Sequence, residues 1–238
     1  MQRFLLIETS TAVCSVSLSE DTGIIARRQS AEPRVHASML AVFIDEILRE
    51  CGLQINDCAA VAVSGGPGSY TGLRVGVSTA KGLCFGASIP LIHVSSLELI
   101  AQLYVEQAPL RDLYRIFPMI DARRMEVYTA PFSATGSGTG MTVQRTGADS
   151  AVTVTEDSFL RELDSGLVVF TGDGAEKCRN VISHPNARFV PLESHADGMA
   201  KAAAKAYAEK DFRDVAYYTP FYLKEFRITP PKTDAAGG

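Results

Sequence analysis

The chain opens on an apolar run at 3–8, followed by shorter β-rich runs at 13–18 and 23–28, divided by Thr9-Ser10-Thr11 and Glu20-Asp21-Thr22-Gly23. That spacing predicts an antiparallel meander. From 35 to 50 the apolar positions change period: Met39, Leu40, Phe43, Ile44, Ile47 and Leu48 recur at i, i+3, i+4, the stripe of an amphipathic helix, closed by Gly52. A nearly all-apolar run at 59–64 reads as a strand buried on both faces. A helix over about 72–85, a strand at 91–93 and a helix running toward Gln107 follow. Ser95 and Glu98 supply the S-x-x-E spacing of a capping box for that last helix.

After Pro109 the pattern restarts, with strands at 116–121, 126–132 and 141–146, the last two separated by the flexible stretch 135–140. With Ile120-Asp121 laid on Ile7-Glu8, both openings have an apolar strand ending in a carboxylate, a four-residue polar turn and an alternating strand. Pattern alone leaves internal duplication and coincidence both open. A helix at 156–163, a strand at 167–171, the turn Gly172-Asp173-Gly174 into another helix, and an Ala-rich helix at 195–210 complete the series. An extended tail at 219–226 leads to Pro230-Pro231 and a Gly-Gly end expected to be disordered. The alternation of elements predicts an α/β architecture.

Composition narrows the function classes. At 238 residues, 46% apolar and 21% charged, the chain has the mix of an ordinary globular protein, which excludes disordered and fibrous classes. A net charge of −4 argues against gripping nucleic acid over a broad basic face. Five cysteines without a C-x-x-C spacing read as reduced, buried small hydrophobes rather than disulfides or a zinc site. The early apolar run, Phe4 to Ile7, is too short for a secretory signal, and no stretch resembles a membrane span, so a cytoplasmic location is expected.

The most distinctive segment, from Gly65 to Gly76, sits between a buried strand and a helix. Its glycines allow positive φ and expose N–H groups beside a helix N-terminus, as an anion site requires. Neither a Walker A loop nor a Rossmann fingerprint fits, because no Gly-Lys-Ser/Thr follows at the needed distance and Thr71 stands where the third glycine belongs. A tight packing turn is the favoured reading and an anion cradle the alternative. The helix after it holds Gly76, Gly82 and Gly86, each costing about 1 kcal/mol relative to alanine, so close approach of another helix is expected. That neighbour is the helix at 35–50 or the same pair in a second chain.

Glu8 and Asp121, each ending a strand at a turn, are the candidate acids, with turn capping as the bland alternative. Arg123 and Arg124 are expected to pair with Asp121 and keep it ionised. The four histidines form no H-x-x-x-H pair, and no G-x-S-x-G elbow occurs.

The segments Leu6-Ile7-Glu8-Thr9-Ser10-Thr11, Gly66 through Gly76, Ala80-Lys81-Gly82-Leu83, Pro90 through Leu97, Asp121-Ala122-Arg123-Arg124, Val127-Tyr128 and Pro220-Phe221-Tyr222-Leu223 together resemble the TsaB (YeaZ) family, over Phe4 to about Phe226. That family is the bacterial partner of TsaD in threonylcarbamoyl modification of adenosine 37 of tRNA. The resemblance implies an actin/Hsp70/sugar-kinase fold of two duplicated ribonuclease-H-like lobes, here 1–108 with the dimerisation helices and 109–228, then a flexible tail at 229–238. It also implies a noncatalytic relative of TsaD. Where TsaD carries two metal-binding histidines this chain offers Ser96 and Ile100, which cannot replace imidazoles.

Asp121-Ala122-Arg123-Arg124 lacks the glycine that admits phosphates in active relatives. Gly172-Asp173-Gly174 resembles the fold's adenosine-side turn. Weak, vestigial or interface-bound ATP or ADP therefore stays open, with Glu8, Thr9, Ser10, Gly66, Gly68, Gly172 and Gly174 as its candidate contacts and no other cofactor or metal expected. Family members pair through first-lobe helices, which implies an interface of His36, Met39, Leu40, Phe43 and Ile47 with Leu73, Val75, Gly76, Thr79 and Gly82. The implied partners are TsaD in a heterodimer, TsaE, a second copy in isolation, and tRNA only through the complex. The rival readings, a metal-dependent glycoprotease-like peptidase and a small ATPase or sugar kinase, are disfavoured by the missing ligands and the altered phosphate turns.

Overall fold

A computed structural model describes residues 1–32, 36–108, 115–136 and 140–224. The tail at 229–238, Glu225 and Phe226, and the start of the first expected helix at Val35 lie outside the described residues, as does the side chain of His36.

Two mixed sheets carry the same strand plan. In the first, β1 (Arg3–Glu8) lies between β2 (Cys14–Glu20), antiparallel, and β4 (Ala60–Ser64), parallel; β3 (Gly23–Ser30) flanks β2 and β5 (Leu91–Val94) flanks β4, giving the order β3-β2-β1-β4-β5. In the second, β6 (Arg115–Asp121) takes the place of β1, and the order β10-β7-β6-β11-β12 repeats the first, with β7 (Glu126–Thr129), β10 (Ser150–Thr153), β11 (Val168–Thr171) and β12 (Ala187–Val190). The hairpin β8 (Phe132–Thr135) with β9 (Thr142–Arg145) is added on the lower half of β6. The helices correspond too: α1 (His36–Glu50) and α4 (Leu160–Asp164) precede β4 and β11, α2 (Tyr70–Ala87) and α5 (Ala175–Cys178) follow them, and α3 (Ser96–Gln107) and α6 (Ala200–Glu209) close each half. The similarity of the two openings is therefore duplication, now visible in the pairing.

Packing explains the continuous apolar runs. Along β1, Phe4 and Leu6 face a central core with α3 and α6 between the sheets, while Leu5 and Ile7 face a second core under α1 and α2. On β6, Ile116 and Ile120 enter the central core, while Phe117 and Met119 enter a third under α4 and α5. A strand covered on both faces must be apolar at every position. α3 is buried nearly all round for the same reason. The last helix crosses back: α6 packs on β1 and β5, and Arg213 N–H bonds Leu91 C=O at 2.8 Å, tying the C-terminal segment to the first sheet.

Several expectations are corrected. The strand at 126–132 is two strands, because Pro131 cannot donate to the ladder and the pairing switches there from one end of β6 to the other. The helix at 156–163 shrinks to α4, since Phe159 at φ 64° breaks the helical path. The helix at 195–210 begins as a 3₁₀ turn, Ala196–Met199. β10 and β12 had no predicted counterpart. Ser95 does not cap α3 through its side chain; its hydroxyl accepts from Arg145 at 2.7 Å. All five cysteines are free, four of them buried, and desolvation pushes the thiols of Cys14 and Cys58 to about 11 and that of Cys84 to about 12. No described helix is long and apolar enough to cross a membrane.

Candidate functional site

The two hairpin turns that end β1 and β6 face one cleft of about 1280 Å³, lined from the first half by Ser10, Thr11 and the start of α2, and from the second by Asp121, Arg123, Glu126, Tyr128 and Asp173. Tyr222 and Lys224 of the C-terminal segment complete its wall.

On the first side Glu8 is fully buried. Its Oε1 accepts from Ser10 N–H at 2.8 Å, Ser10 Oγ at 2.5 Å and Ser194 Oγ at 3.3 Å, while Oε2 has no partner among the described residues. Desolvation raises its pKa above the usual carboxylate range, opposed by the hydroxyls of Ser10, Ser64 and Ser194 and the Ser10 amide. The glycine-rich segment is packed against this turn. A Cβ on Gly68 would overlap the Ser10 carbonyl oxygen, one on Gly72 the Thr9 carbonyl oxygen, and one on Gly76 Thr9 Oγ1. Thr9 Oγ1 also donates to Gly72 C=O at 2.8 Å, and Ser69 caps α2 by accepting from Gly72 N–H at 3.2 Å.

The space behind Gly65 is filled by the side chains of His93 and Tyr218, and that behind Gly66 by the Phe221 carbonyl oxygen. Phe221 N–H bonds Gly65 C=O at 2.7 Å, and the Tyr218 hydroxyl lies 2.6 Å from Nδ1 of His93, whose pKa burial lowers to about 4. Gly66 thus seats the backbone of the C-terminal segment, and Gly65 a pair of side chains. Carbonyl oxygens of the protein's own chain thus pack against Gly66, Gly68 and Gly72.

On the second side Gly172, at φ +107°, lies against the Met119 carbonyl oxygen, and Gly174 against the Ile120–Asp121 peptide, at 3.0 to 3.1 Å for an added Cβ. This repeats the first arrangement. Asp173 accepts from Asp121 N–H at 3.0 Å, and its own pKa is raised by desolvation. The expected pairing of Asp121 with Arg123 and Arg124 is not what the structure holds. Asp121 Oδ1 instead accepts from Lys177 Nζ at 2.7 Å, and from Arg123 through backbone N–H at 2.6 Å. Lys177 also donates to the Arg124 and Glu126 carbonyls, at 2.9 and 2.7 Å, pinning the turn from α5. Lys224 pairs with Glu126. Arg123 and Arg124 both adopt left-handed backbone, φ 69° and 48°, at about 1 to 2 kcal/mol each for side-chain-bearing residues.

The expected interface residues divide by burial. Leu40, Phe43 and Ile47 of α1 and Leu73 of α2 are buried inside their own lobe, and Gly76 is filled by Thr9, so they present nothing to a partner. The stripe at i, i+3, i+4 on α1 is the face that covers its own sheet. Met39, Val75 and Thr79 are half-buried and Gly82 is exposed. The outer face of α2 runs through Arg74, Ser78, Gly82, Phe85 and Gly86. Phe85 is 82% exposed, and neither Gly82 nor Gly86 has an atom within 4 Å of an added Cβ. Of the two neighbours expected for these glycines, the helix of the same chain is not in contact with them among the described residues. Ser96 and Ile100 are both buried, Ile100 within the central core. The described residues contain no cluster of three metal-ligating side chains.

The roles of Lys177, Ser194 and Tyr218 have no signal in local sequence, since each reaches its partner across 56 to 186 residues.

Residues 24–226 match the sequence profile of the family described as TsaD, tRNA N6-adenosine threonylcarbamoyltransferase. A tRNA threonylcarbamoyladenosine biosynthesis protein TsaB from Haemophilus influenzae is 42% identical over 127 residues, 52% of this chain and 51% of that protein. The Escherichia coli protein of the same description is 37% identical over 136 residues, 57% of each. The chain thus spans about half the length of the curated relatives it matches. A solved structure of YeaZ from Pseudomonas aeruginosa superposes with a TM-score of 0.80 at 26% identity, covering 94% of this chain and all of that one. The fold is the two-lobed actin/Hsp70/sugar-kinase type.

Proposed function

From the premise that this chain belongs to the TsaD family, in its TsaB (YeaZ) branch, we propose that it serves t6A biosynthesis as a noncatalytic partner of a TsaD subunit in threonylcarbamoyl transfer to adenosine 37 of tRNA. The observation that carries this reading is the unpartnered outer face of α2, where Ser78, Gly82 and Gly86 leave the backbone open beside the exposed ring of Phe85. Gly82 and Gly86, open within α2, forgo helix stability that a partner helix at close range restores. Burial of that face contributes about 25 cal/mol per Å² of apolar surface, before the costs of association.

Met39, Val75, Thr79 and Gly82 remain from the expected interface. TsaD docks there in the complex and a second copy docks there in isolation, with TsaE joining the assembly. The noncatalytic part is supported by Ser96 and Ile100, which are packed inside the molecule and offer no imidazole. The chain works with no metal or cofactor of its own, and any ATP or ADP sits at an interface with a partner.

Gly82→Arg tests the surface. The position is open, so the variant folds with an unchanged melting temperature but no longer pairs. Sedimentation of the chain alone and with TsaD reads the loss; an unchanged mass in both would exclude α2 as the interface. Reconstitution of tRNA modification from TsaD and its other partners, with and without this chain, tests the function itself, and full activity without it would refute the reading.

A further inference from the structure

We propose that the turn at 214–218 forms part of the surface that the TsaD subunit covers, with Tyr217 as an anchor held beside α2; the proposal rests on the α2 reading above. Among the described residues the exposed phenylalanine and tyrosine side chains are Phe85, on α2, and Phe212, Tyr217 and Phe221, all on the C-terminal segment. Apolar groups exposed singly need no explanation, but rings gathered on two stretches that touch each other mark an interaction site. The two stretches do touch. Lys81, one turn before Phe85 on α2, donates through Nζ to the carbonyls of Ala216 and Tyr218, at 3.1 and 3.0 Å, and these bracket Tyr217.

The turn is fixed from several sides and holds one ring out. Asp214 Oδ1 accepts from the N–H groups of Ala216 and Tyr217, at 2.8 and 3.1 Å, and Asp214 C=O accepts from Tyr218 N–H at 2.8 Å. Val215 packs on the core under α1 and α2, and Tyr218 reaches His93. Tyr217, next to that anchored tyrosine, is 84% exposed, matching the 82% of Phe85. A side chain whose backbone is already fixed loses less freedom on binding, and tyrosine is among the residues that dominate interface energies. Continuity with the open backbone at Gly82 and Gly86 names the occupant: the subunit seated on α2 meets Tyr217 as well.

The test titrates purified TsaD into the fluorescently labelled full chain and reads both affinity and dissociation rate. Y217A should bind about tenfold more weakly or worse, chiefly through faster dissociation. It should melt like wild type, because the ring is in water in the free chain. Y217F keeps the ring and should bind within a few-fold of wild type. K81M removes both tethers; amide exchange at 214–218 should quicken and binding weaken, by less than in Y217A. I25A, which trims an exposed residue on β3, should leave binding unchanged.

Wild-type affinity for TsaD in Y217A, with G82R abolishing assembly, would overturn this proposal alone. So would a loss confined to self-association, which would give the turn to a second copy. Wild-type affinity in both Y217A and G82R would instead remove α2 as the interface, and with it the reading on which the proposal depends.

Discussion

The turns after β1 and β6 occupy equivalent places in two lobes of identical strand order, yet they have been put to opposite uses. The first is sealed. Among the described residues its acid, Glu8, faces no cation and takes donors from hydroxyls and one backbone amide, and the turn is wedged into the backs of Gly68, Gly72 and Gly76. The second stays wet and charged. Its acid, Asp121, is held by Lys177, and its tip projects two arginines. One turn is a strut of the first lobe and the other is a surface. Sharing a topology therefore says little about which copy of a motif keeps chemistry, because that depends on what packs behind it.

The sharpest way to break this contrast is to add one methyl group behind each turn. In Gly72→Ala the new Cβ meets the Thr9 carbonyl oxygen and cannot be relieved by a side-chain rotation. We expect a loss of about 3 kcal/mol, the upper end for overpacking, or failure to fold. In Gly174→Ala the nearest atoms are at 3.0 to 3.1 Å, so a shift of a few tenths of an ångström suffices and about 1 kcal/mol is lost. Urea denaturation of the two variants measures both; equal losses would show that the turns are equally sealed.

That difference was only partly legible in the sequence. The apolar runs of β1, β4 and β6, the stripe of α1 and the Gly-rich link to α2 announced the lobes, because a strand buried on two faces leaves no other pattern. Glu8 and Asp121 could be picked out as turn acids. Their partners could not, since Ser194 and Lys177 lie 186 and 56 residues away and carry no local signature. β12 alternates half-buried and exposed residues at a sheet edge, and β10 is as partly covered, so neither shows an apolar run. On α1 and α2, apolar residues lie on both inner and outer faces, and only the contacts reveal that Leu40, Phe43, Ile47 and Leu73 turn inward while Phe85 turns out.

Lys177→Met probes the second turn by an intermediate amount. The ion pair with Asp121 is partly exposed, with side-chain exposures of 20% and 47%, so its own share is under about 1 kcal/mol. The two bonds to the Arg124 and Glu126 carbonyls bring the expected total to about 1–2 kcal/mol. The loss should be local: faster amide exchange at 121–127, with the first turn at 8–12 unaffected. Faster exchange in both turns would mean that the two are coupled across the cleft.

The smallest effect, and the one that separates the two acids by their physics, is the pH dependence of Glu8→Gln. Glu8 is raised by desolvation, so its neutral form is the one the fold prefers. Below the ordinary carboxylate range both folded and unfolded chains hold the proton, and the group adds no pH dependence. As the pH rises past that range the unfolded chain releases its proton first while the folded chain keeps it, so wild type loses stability with each step until the buried carboxyl ionises as well. Glutamine keeps an acceptor oxygen for Ser10 and has no proton to lose. The variant should therefore gain on wild type as the pH rises above the ordinary carboxylate range, measured as a widening gap between their urea midpoints, and the gap should be indifferent to salt because no cation among the described residues faces Glu8. Asp121→Asn, which removes the partner of Lys177, should instead cost stability by an amount that shrinks as salt is added. Parallel pH profiles for wild type and Glu8→Gln would mean that water reaches the first turn, and the contrast between a sealed and an open turn would fall with it.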